Sequence, residues 1–406
     1  MNIKNFPYLK LIFIFSMTSL SVISSGQDQE SWAERLNNLN SMLDPNNKRF
    51  ELLALSKDLM QQGIPNEKLN ELEKYTDQVQ VVKSDDDMIT VVAFGAPTYK
   101  GVYQLEWIIH HDNQSWAFSE EYNSTFSSGA KDLTFTFNKT EDDLYSLKVT
   151  TGKQTLVDAC DLISKCLFEQ LQTLSSDQEK EDLNALLLKR LNNLWSDEAY
   201  FSKAFTGLKR MKTLHSEDGK VKICTYNLQK EGFNQFFCGA VITKDDEVSV
   251  HMLTDTSEKI RSPERSSLTN KKWYGALYVD LIQTSGGGKT YYTLIGYKGH
   301  DEFVKTRVLD VLLIQNGRLR FGMPIFKTDR VSRNRVVFQY SSKATMMLRY
   351  DAREKLIVYD NLAPADPMYR GVYHYYGPDF SYNAFKFTKG VWENRKDIDL
   401  RNPKSE

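Results

Sequence analysis

Two carboxylates stand inside apolar, strand-like runs: Asp280 in Leu277-Tyr278-Val279-Asp280-Leu281-Ile282, and Asp310 in Val308-Leu309-Asp310-Val311-Leu312-Leu313. A carboxylate in such surroundings needs a hydrogen-bonding or cationic partner, or takes a raised pKa. Two of them held about 5–10 Å apart could serve as the acid/base pair of a polysaccharide hydrolase. The competing reading gives each a nearby Arg, Lys or backbone N–H, because structural ion pairs produce the same pattern. A second kind of chemistry is binding. Residues 318–355 carry ten Lys/Arg against three acids. Arg330, Arg333 and Arg335 among them could hold an anionic glycan or headgroup through guanidinium forks. Tyr373 and Tyr375, in Tyr373-His374-Tyr375-Tyr376, could form a stacking platform for sugars, although strand aromatics also serve as core or cross-strand pairs.

The four cysteines, 160, 166, 224 and 238, allow three full pairings. Lys222–Leu228 and Asn234–Ile242 read as strands about a three-residue loop with Gly232 in the left-handed position. That register sets Cys224 opposite Cys238 and leaves Cys160 with Cys166. Reduced, buried thiols are the alternative, since the register is inferred. No CxxC or Cys/His ligand spacing exists, so neither zinc nor another cofactor is expected.

Other motifs dissolve on inspection. Ser285-Gly286-Gly287-Gly288-Lys289-Thr290 resembles a phosphate loop, but strand rather than helix follows it, so it reads as a hairpin turn. His110 and His111 are neighbours on a strand and diverge. Gly299-His300-Asp301-Glu302 is explained by a polar loop. Ser128-Gly129-Ala130-Lys131 is too short a pattern to argue for a serine hydrolase, and no GxSxG elbow accompanies it. Asn113, Asn123 and Asn138 are sequons that matter only in a glycosylating host.

The elements that must position these residues are mostly strands. Helical spacing is confined to two segments, about 31–75 and 176–210, the second opening with a Ser176/Glu179 capping box. Short strands with Gly and Asn turns fill the rest, which predicts an α+β, predominantly β protein of antiparallel sandwich or barrel-like sheets. A weak internal repeat is visible: Ser84-Asp85-Asp86-Asp87-Met88-Ile89-Thr90-Val91 matches Ser216-Glu217-Asp218-Gly219-Lys220-Val221-Lys222-Ile223 at an offset of 132. If real, it makes the chain two copies of a helices-then-sheet unit, the second extended by extra strands. An acidic turn before an alternating strand is also common hairpin chemistry, so chance competes.

The chain has 406 residues, 41% hydrophobic and 26% charged, with a net charge of −1, which excludes disordered and collagen-like classes. Lys4 and Lys10, the apolar run Leu11–Ile23 and then Ser24-Ser25-Gly26 have the layout of a cleaved secretory leader. An uncleaved anchor is the alternative. The expected division is therefore a signal peptide at 1–26, a helical segment with a small β domain at 27–165, and a helical segment with a larger β domain at 166–406. Residues 27–160 carry 12 Lys/Arg and 22 Asp/Glu, and residues 161–406 carry 38 and 31, or −10 and +7. That asymmetry suggests two faces of opposite sign rather than nucleic-acid binding. No membrane span is expected after removal of the leader, and the site of action is periplasmic, cell-surface or secreted.

Several ordered stretches of the C-terminal half carry a resemblance. They are Tyr291-Tyr292-Thr293-Leu294-Ile295-Gly296-Tyr297, Val308-Leu309-Asp310-Val311-Leu312 and Phe321-Gly322-Met323-Pro324-Ile325-Phe326. With them go Met347-Leu348-Arg349-Tyr350-Asp351, Ile357-Val358-Tyr359-Asp360-Asn361-Leu362 and Tyr376-Gly377-Pro378-Asp379-Phe380-Ser381-Tyr382. Over residues 216–400 the chain resembles uncharacterised exported β-rich proteins of Bacteroidetes type. The resemblance implies export and β-rich folding and transfers no site. The reading that results is an exported, non-catalytic protein binding a glycan or another cell-envelope component. The alternatives are an exported polysaccharide hydrolase using Asp280 and Asp310, and a structural protein that docks a partner.

Overall fold

The computed structural model describes residues 28–62, 72–97, 102–111, 114–123, 130–140, 144–152, 154–205, 207–299, 302–328 and 331–399. The expected leader, Arg330 and the His300-Asp301 pair lie outside these residues. Strand predominates, in antiparallel sheets, as the sequence predicts. The chain divides into two compact units: residues 1–174 with 183–190 and 206–208, and residues 175–182 and 191–205 with 209–406.

In the first unit, α1 (Asp28–Ser41) and α2 (Pro45–Gln62) precede a sheet of order β1-β2-β3-β4. Its strands are Val79–Lys83, Ile89–Pro97, Val102–His111 and Gln114–Asn123. Leu36, Leu39, Leu52 and Leu55 lie at helical spacing and bury against Val79, Val92, Phe94 and Ile108 of that sheet. A second sheet holds β5 (Thr134–Lys139), β6 (Tyr145–Thr151) and β7 (Gln154–Ala159). Then comes a helix that the sequence reading misses, α3 (Leu162–Gln170). Its signal was present: Asp161, fully buried, caps it by accepting from the Ser164 N–H and hydroxyl at 3.0 and 2.6 Å. Arg190 satisfies both oxygens of the same carboxylate at 2.9 and 2.8 Å. The expected boundary at 165/166 falls inside this helix. Arg190 belongs to α4 (Asp177–Ser196), whose residues are divided between the two units.

The second unit stacks three sheets. The first has order β11-β10-β9-β8, from Val248–Thr254, Gln235–Lys244, Val221–Gln229 and Lys212–His215. The middle sheet has β12 (Leu277–Gly286), β13 (Lys289–Lys298), β14 (Val304–Gln315) and β15 (Arg318–Phe321), with β18 (Val336–Ser341) also pairing β14. The outer sheet runs β17-β16-β22-β21-β20-β19, from Val331–Arg333, Phe326–Thr328, Val391–Arg395, Tyr376–Thr388, Leu356–Pro364 and Leu348–Asp351. Its β16–β22 pair is parallel. The middle sheet is covered on both faces. Tyr292, Leu294, Val308 and Leu312 pack against Ile223, Phe237 and Val241 of the first sheet. Ile295, Leu309, Val311 and Leu313 pack against Ile357, Phe385 and Trp392 of the outer one. Burial on both sides is why β14 reads as a nearly continuous apolar run rather than an alternating one. The glycine-rich stretch is a hairpin: Gly286 pairs with Lys289, and Gly287 and Gly288 have φ of 60° and 71°, values that favour glycine in such a turn.

The repeat is borne out atom by atom. Ser84 Oγ donates to Asp86 Oδ1 at 2.7 Å and accepts from Ile89 N at 3.0 Å. Ser216 Oγ donates to Asp218 Oδ1 at 2.5 Å and accepts from Val221 N at 2.9 Å. In each copy a tyrosine from the central strand of a neighbouring sheet closes on the other carboxylate oxygen: Tyr145 on Asp86 at 2.9 Å, and Tyr292 on Asp218 at 2.8 Å. The register agrees too. Phe94 pairs Val79 and Glu106; Tyr226, 132 residues on, pairs Cys238, itself 132 residues beyond Glu106. The helices obey the same offset, with Leu36, Leu39, Leu52 and Leu55 mapping onto buried Phe168, Leu171, Asn184 and Leu187. Tyr292→Phe is expected to cost the second unit about 1 kcal/mol, at the low end for a hydrogen bond to a partly exposed carboxylate. Tyr145→Phe is expected to lower stability in the same direction. Urea unfolding of the two variants, singly and together, checks both and should show additivity.

The cysteine register is corrected. Gln229 pairs Gln235, so the loop holds five residues, with a 3-10 turn at Glu231–Phe233, rather than three. Cys224 therefore faces Ala240 and Cys238 faces Tyr226. No disulfide joins any of the four: Cys224, Cys238 and Cys166 are buried thiols, and Cys160 precedes the cap of α3. Burial pushes the Cys224 thiol up to about 11 and raises Cys166 as well.

Candidate ligand-binding surface

The paired-carboxylate site does not form. Leu294 of β13 pairs Asp310, but Asp280 pairs Ile295, one residue away. Paired residues share a face and successive ones alternate, so the two carboxylates lie on opposite faces of the middle sheet. The cause is a bulge at Val279. Tyr278 still pairs Gly296, and without the extra residue Asp280 would have stood opposite Leu294, in line with Asp310 across one strand. Asp280 is half-buried, accepts from Leu281 N at 2.9 Å, and has its carboxyl pushed up by desolvation.

Asp310 is spent on structure. It and Arg335 are both fully buried, with Arg335 Nε 3.1 Å from Asp310 Oδ2. Val311 N donates to Asp310 Oδ1 at 2.8 Å. Arg335 Nη1 donates to the carbonyls of Pro263 and Ser266, and its guanidinium lies 5.6 Å from the Tyr274 ring. Arg333 pairs with Glu264. Two of the three expected arginines are thus committed within the protein: Arg335 ties down the 263–266 segment from inside the core, and Arg333 is engaged at its edge, while Arg330 lies outside the described residues. The sequence could not distinguish these from solvated arginines, because the segment they hold lies some 70 positions away in the chain.

Lys298 is a second buried cation. Its Nζ donates to Ser257 Oγ at 2.7 Å and to the Gly275 carbonyl at 2.9 Å, and sits 4.8 Å from the rings of both Phe237 and Tyr274. Asp255 lies behind Ser257, accepting from that residue's N–H and hydroxyl and from the N–H groups of Phe237 and Gly275. Desolvation lowers Lys298 to about 8 against the pull of Asp255 and Glu258.

The tyrosines behave differently. Between β20 and β21 the chain makes two short 3-10 turns, Pro367–Tyr369 and Tyr373–Tyr375. The first is capped by Asp366, which accepts from Met368 N at 2.9 Å. Tyr369 stacks on Tyr375 at 4.0 Å, His374 lies 3.9 Å from Tyr375, and Tyr373 lies 5.3 Å from Tyr376. Phe303 approaches His374 at 6.4 Å. These rings are held yet open to solvent: Tyr373 and Tyr375 are about 40% exposed, and Phe303, Met368 and Val372 are exposed beside them in the sequence or the packing. The turn is pinned by Ala365 N to the Tyr375 carbonyl at 2.9 Å and by Gly371 N to the Tyr376 hydroxyl at 2.9 Å.

The same two strands carry a residue that the sequence reading passes over. Between the pairs Asp360–Tyr382 and Leu362–Pro378, β21 has three residues against one on β20. Phe380, in that bulge, has φ 68° and is 91% exposed. Asp379 fixes it, accepting from Ser381 N and Oγ at 3.0 and 2.7 Å and from Asn361 Nδ2 at 2.7 Å. Desolvation opposes ionisation of Asp379, but these hydrogen bonds outweigh it and hold the carboxyl below its usual range. The missed signal was Asp379-Phe380-Ser381, the pattern of an aspartate bonding the backbone two residues on.

A cavity of about 400 Å³ lies elsewhere, lined by Thr243, Asp245, Asp246, Glu247, Ser249, His251 and Gly317, and holds none of the residues singled out from the sequence. Among the described residues no cluster of His, Cys, Asp and Glu is placed to hold a metal, and no helix is long and apolar enough to cross a membrane.

No protein-family model matches the chain, and no curated protein does. Among solved structures it is similar to the WD40 domain of SCAP from fission yeast, at 8% identity and a TM-score of 0.20. That alignment covers 80% of this chain and 66% of the other, so the chain spans less than two thirds of its neighbour's length. A score so low carries no argument about fold or function.

Proposed function

We propose that this chain is an exported, non-catalytic binding protein that takes a glycan of the cell envelope on the aromatic surface of residues 366–380. The observation that supports this reading is the set of rings at Tyr373, His374 and Tyr375, ordered by stacking on half-buried Tyr369 and by hydrogen bonds while left open to water. Exposed apolar patches mark interaction sites. Tyrosine presents a flat face for the C–H side of a sugar ring and a hydroxyl for its oxygens, at little cost in rotamer freedom. The carboxylate pair that hydrolysis would require is split across a sheet, which disfavours the hydrolase alternative.

The test is binding of envelope and plant-type polysaccharides by the full chain, with wild type beside the Tyr373→Ala/Tyr375→Ala double variant. Wild type should bind, and the double variant should bind at least about tenfold more weakly, the equivalent of 1.4 kcal/mol. Equal binding by both, or none by wild type, removes the proposal.

A further inference from the structure

Phe380 breaks two rules at once. A bulky residue with φ of 68° is a backbone outlier, and a phenylalanine 91% exposed returns nothing for its ring. Relaxing the bulge would cure both, but the structure prevents it. Asp379 clamps Ser381 and Asn361; Asn361 accepts from Asn383 at 3.1 Å; Asn383 accepts from Asp397 N at 3.2 Å. A polar chain running across the bulge is therefore maintained while it presents one aromatic face to solvent. Strain of this kind is retained where the presented group acts.

Resting on the reading above, we infer that Phe380 with Asp379 forms a second sugar subsite, so that the ligand is a linear, neutral polysaccharide lying along the β20–β21 arm and contacting both the tip rings and the bulge. Tyr376 pairs Pro364 and the bulge holding Phe380 faces Asn361, three steps along β20 or about 10 Å at 3.4 Å per residue, a span that a single sugar ring cannot bridge. Neutrality follows from charge. Residues 361–382 hold Asp366, Asp379 and one cation, Arg370, a net −1. Asp379 is an exposed residue beside the ring; Ser381 and Asn361 fill both lone pairs of Oδ1 and one of Oδ2, which leaves one acceptor position for a sugar hydroxyl and a negative charge that repels uronates. Arg335 and Arg333, which would have favoured an anionic chain, are committed to Asp310 and Glu264.

The experiment is calorimetric titration of the full chain with neutral β-1,4-linked gluco-, xylo- and manno-oligosaccharides from disaccharide to octasaccharide, and with oligogalacturonate. Wild type should gain affinity with length and then reach a plateau, as expected when one ligand engages two linked subsites. Phe380→Gly is the diagnostic variant, since glycine adopts the φ without strain. It should keep or raise the melting temperature, leave disaccharide binding unchanged, and lose about tenfold or more on the longest oligomers. Phe380→Trp should restore the length dependence. Phe380→Gly binding long oligomers as wild type does would overturn the inference and leave the tip site standing. A fall in melting temperature with unchanged binding would make Phe380 structural and also overturn it. Preference for oligogalacturonate would overturn the neutral assignment. Absence of binding to every one of these oligomers by wild type would overturn this inference, while the glycan reading is decided by the polysaccharide binding comparison with Tyr373→Ala/Tyr375→Ala.

Discussion

Arg335→Leu is expected to destabilise the second unit by about 3–5 kcal/mol, because it strands a fully buried carboxylate. The loss has two parts. Asp310 keeps the Val311 N–H and the Tyr278 hydroxyl but loses its cation, and the carbonyls of Pro263 and Ser266 lose their donor. A double variant, Asp310→Leu with Arg335→Met, should recover most of the loss, since apolar pairs commonly replace buried ion pairs at no net cost. What it should not recover is the anchoring of the 263–266 segment. Urea unfolding reports the energies, and hydrogen exchange at residues 257–272 reports the segment. If the single variant unfolds at the wild-type midpoint, the pair does not hold the core.

Lys298 gives the second large effect, and its signature is pH. Its folded-state value of about 8 lies below the ordinary 10.5. Between those values the unfolded chain binds more protons than the folded one, so the contribution of Lys298 to stability rises with pH across pH 8–10.5 and is flat below pH 8. The shift corresponds to roughly 3 kcal/mol across that window. Tyr274, in contact with the ammonium and itself raised to about 12 by burial, acts in the opposite sense above pH 10. The measurement is therefore the difference in unfolding free energy between wild type and Lys298→Met. That difference should move in favour of wild type by about 3 kcal/mol from pH 8 to 10.5. A difference independent of pH would mean that Lys298 is solvated in the folded chain.

How far these features were legible depends on the range of the interaction. The Ser-x-Asp turns were visible because their bonds close within five residues, and the repeat followed from them. The demand that Asp310 have a partner was legible from its apolar neighbours. The identity of the partner was not, since Arg335 sits 25 positions away in the turn between β17 and β18 and reads like any cation near a turn. Single-residue events were invisible. One extra residue at Val279 moved Asp280 to the other face, and two extra loop residues at Lys230–Asn234 moved Cys224 away from Cys238. Tyr373 and Tyr375 could be singled out by type, but their exposure depends on two short turns with no sequence period. Around Phe380 the Asp379-Phe380-Ser381 pattern marks only a local turn; the bulge, the positive φ and the exposure of the ring come from the strand pairing.

A polypeptide that carries the same scaffold twice, 132 positions apart and in one register, meets a sorting problem as it folds: strands of one copy can be offered to hairpins of the other. The copies differ where mispairing would be most costly. Thr90 of β2 corresponds to Lys222 of β9, whose ammonium is seated against the carbonyls of Tyr200 and Lys203, and buried Glu106 of β3 corresponds to Cys238 of β10. A swapped hairpin would place these charges where their partners are missing, so divergence at two interior positions discriminates against the wrong assembly.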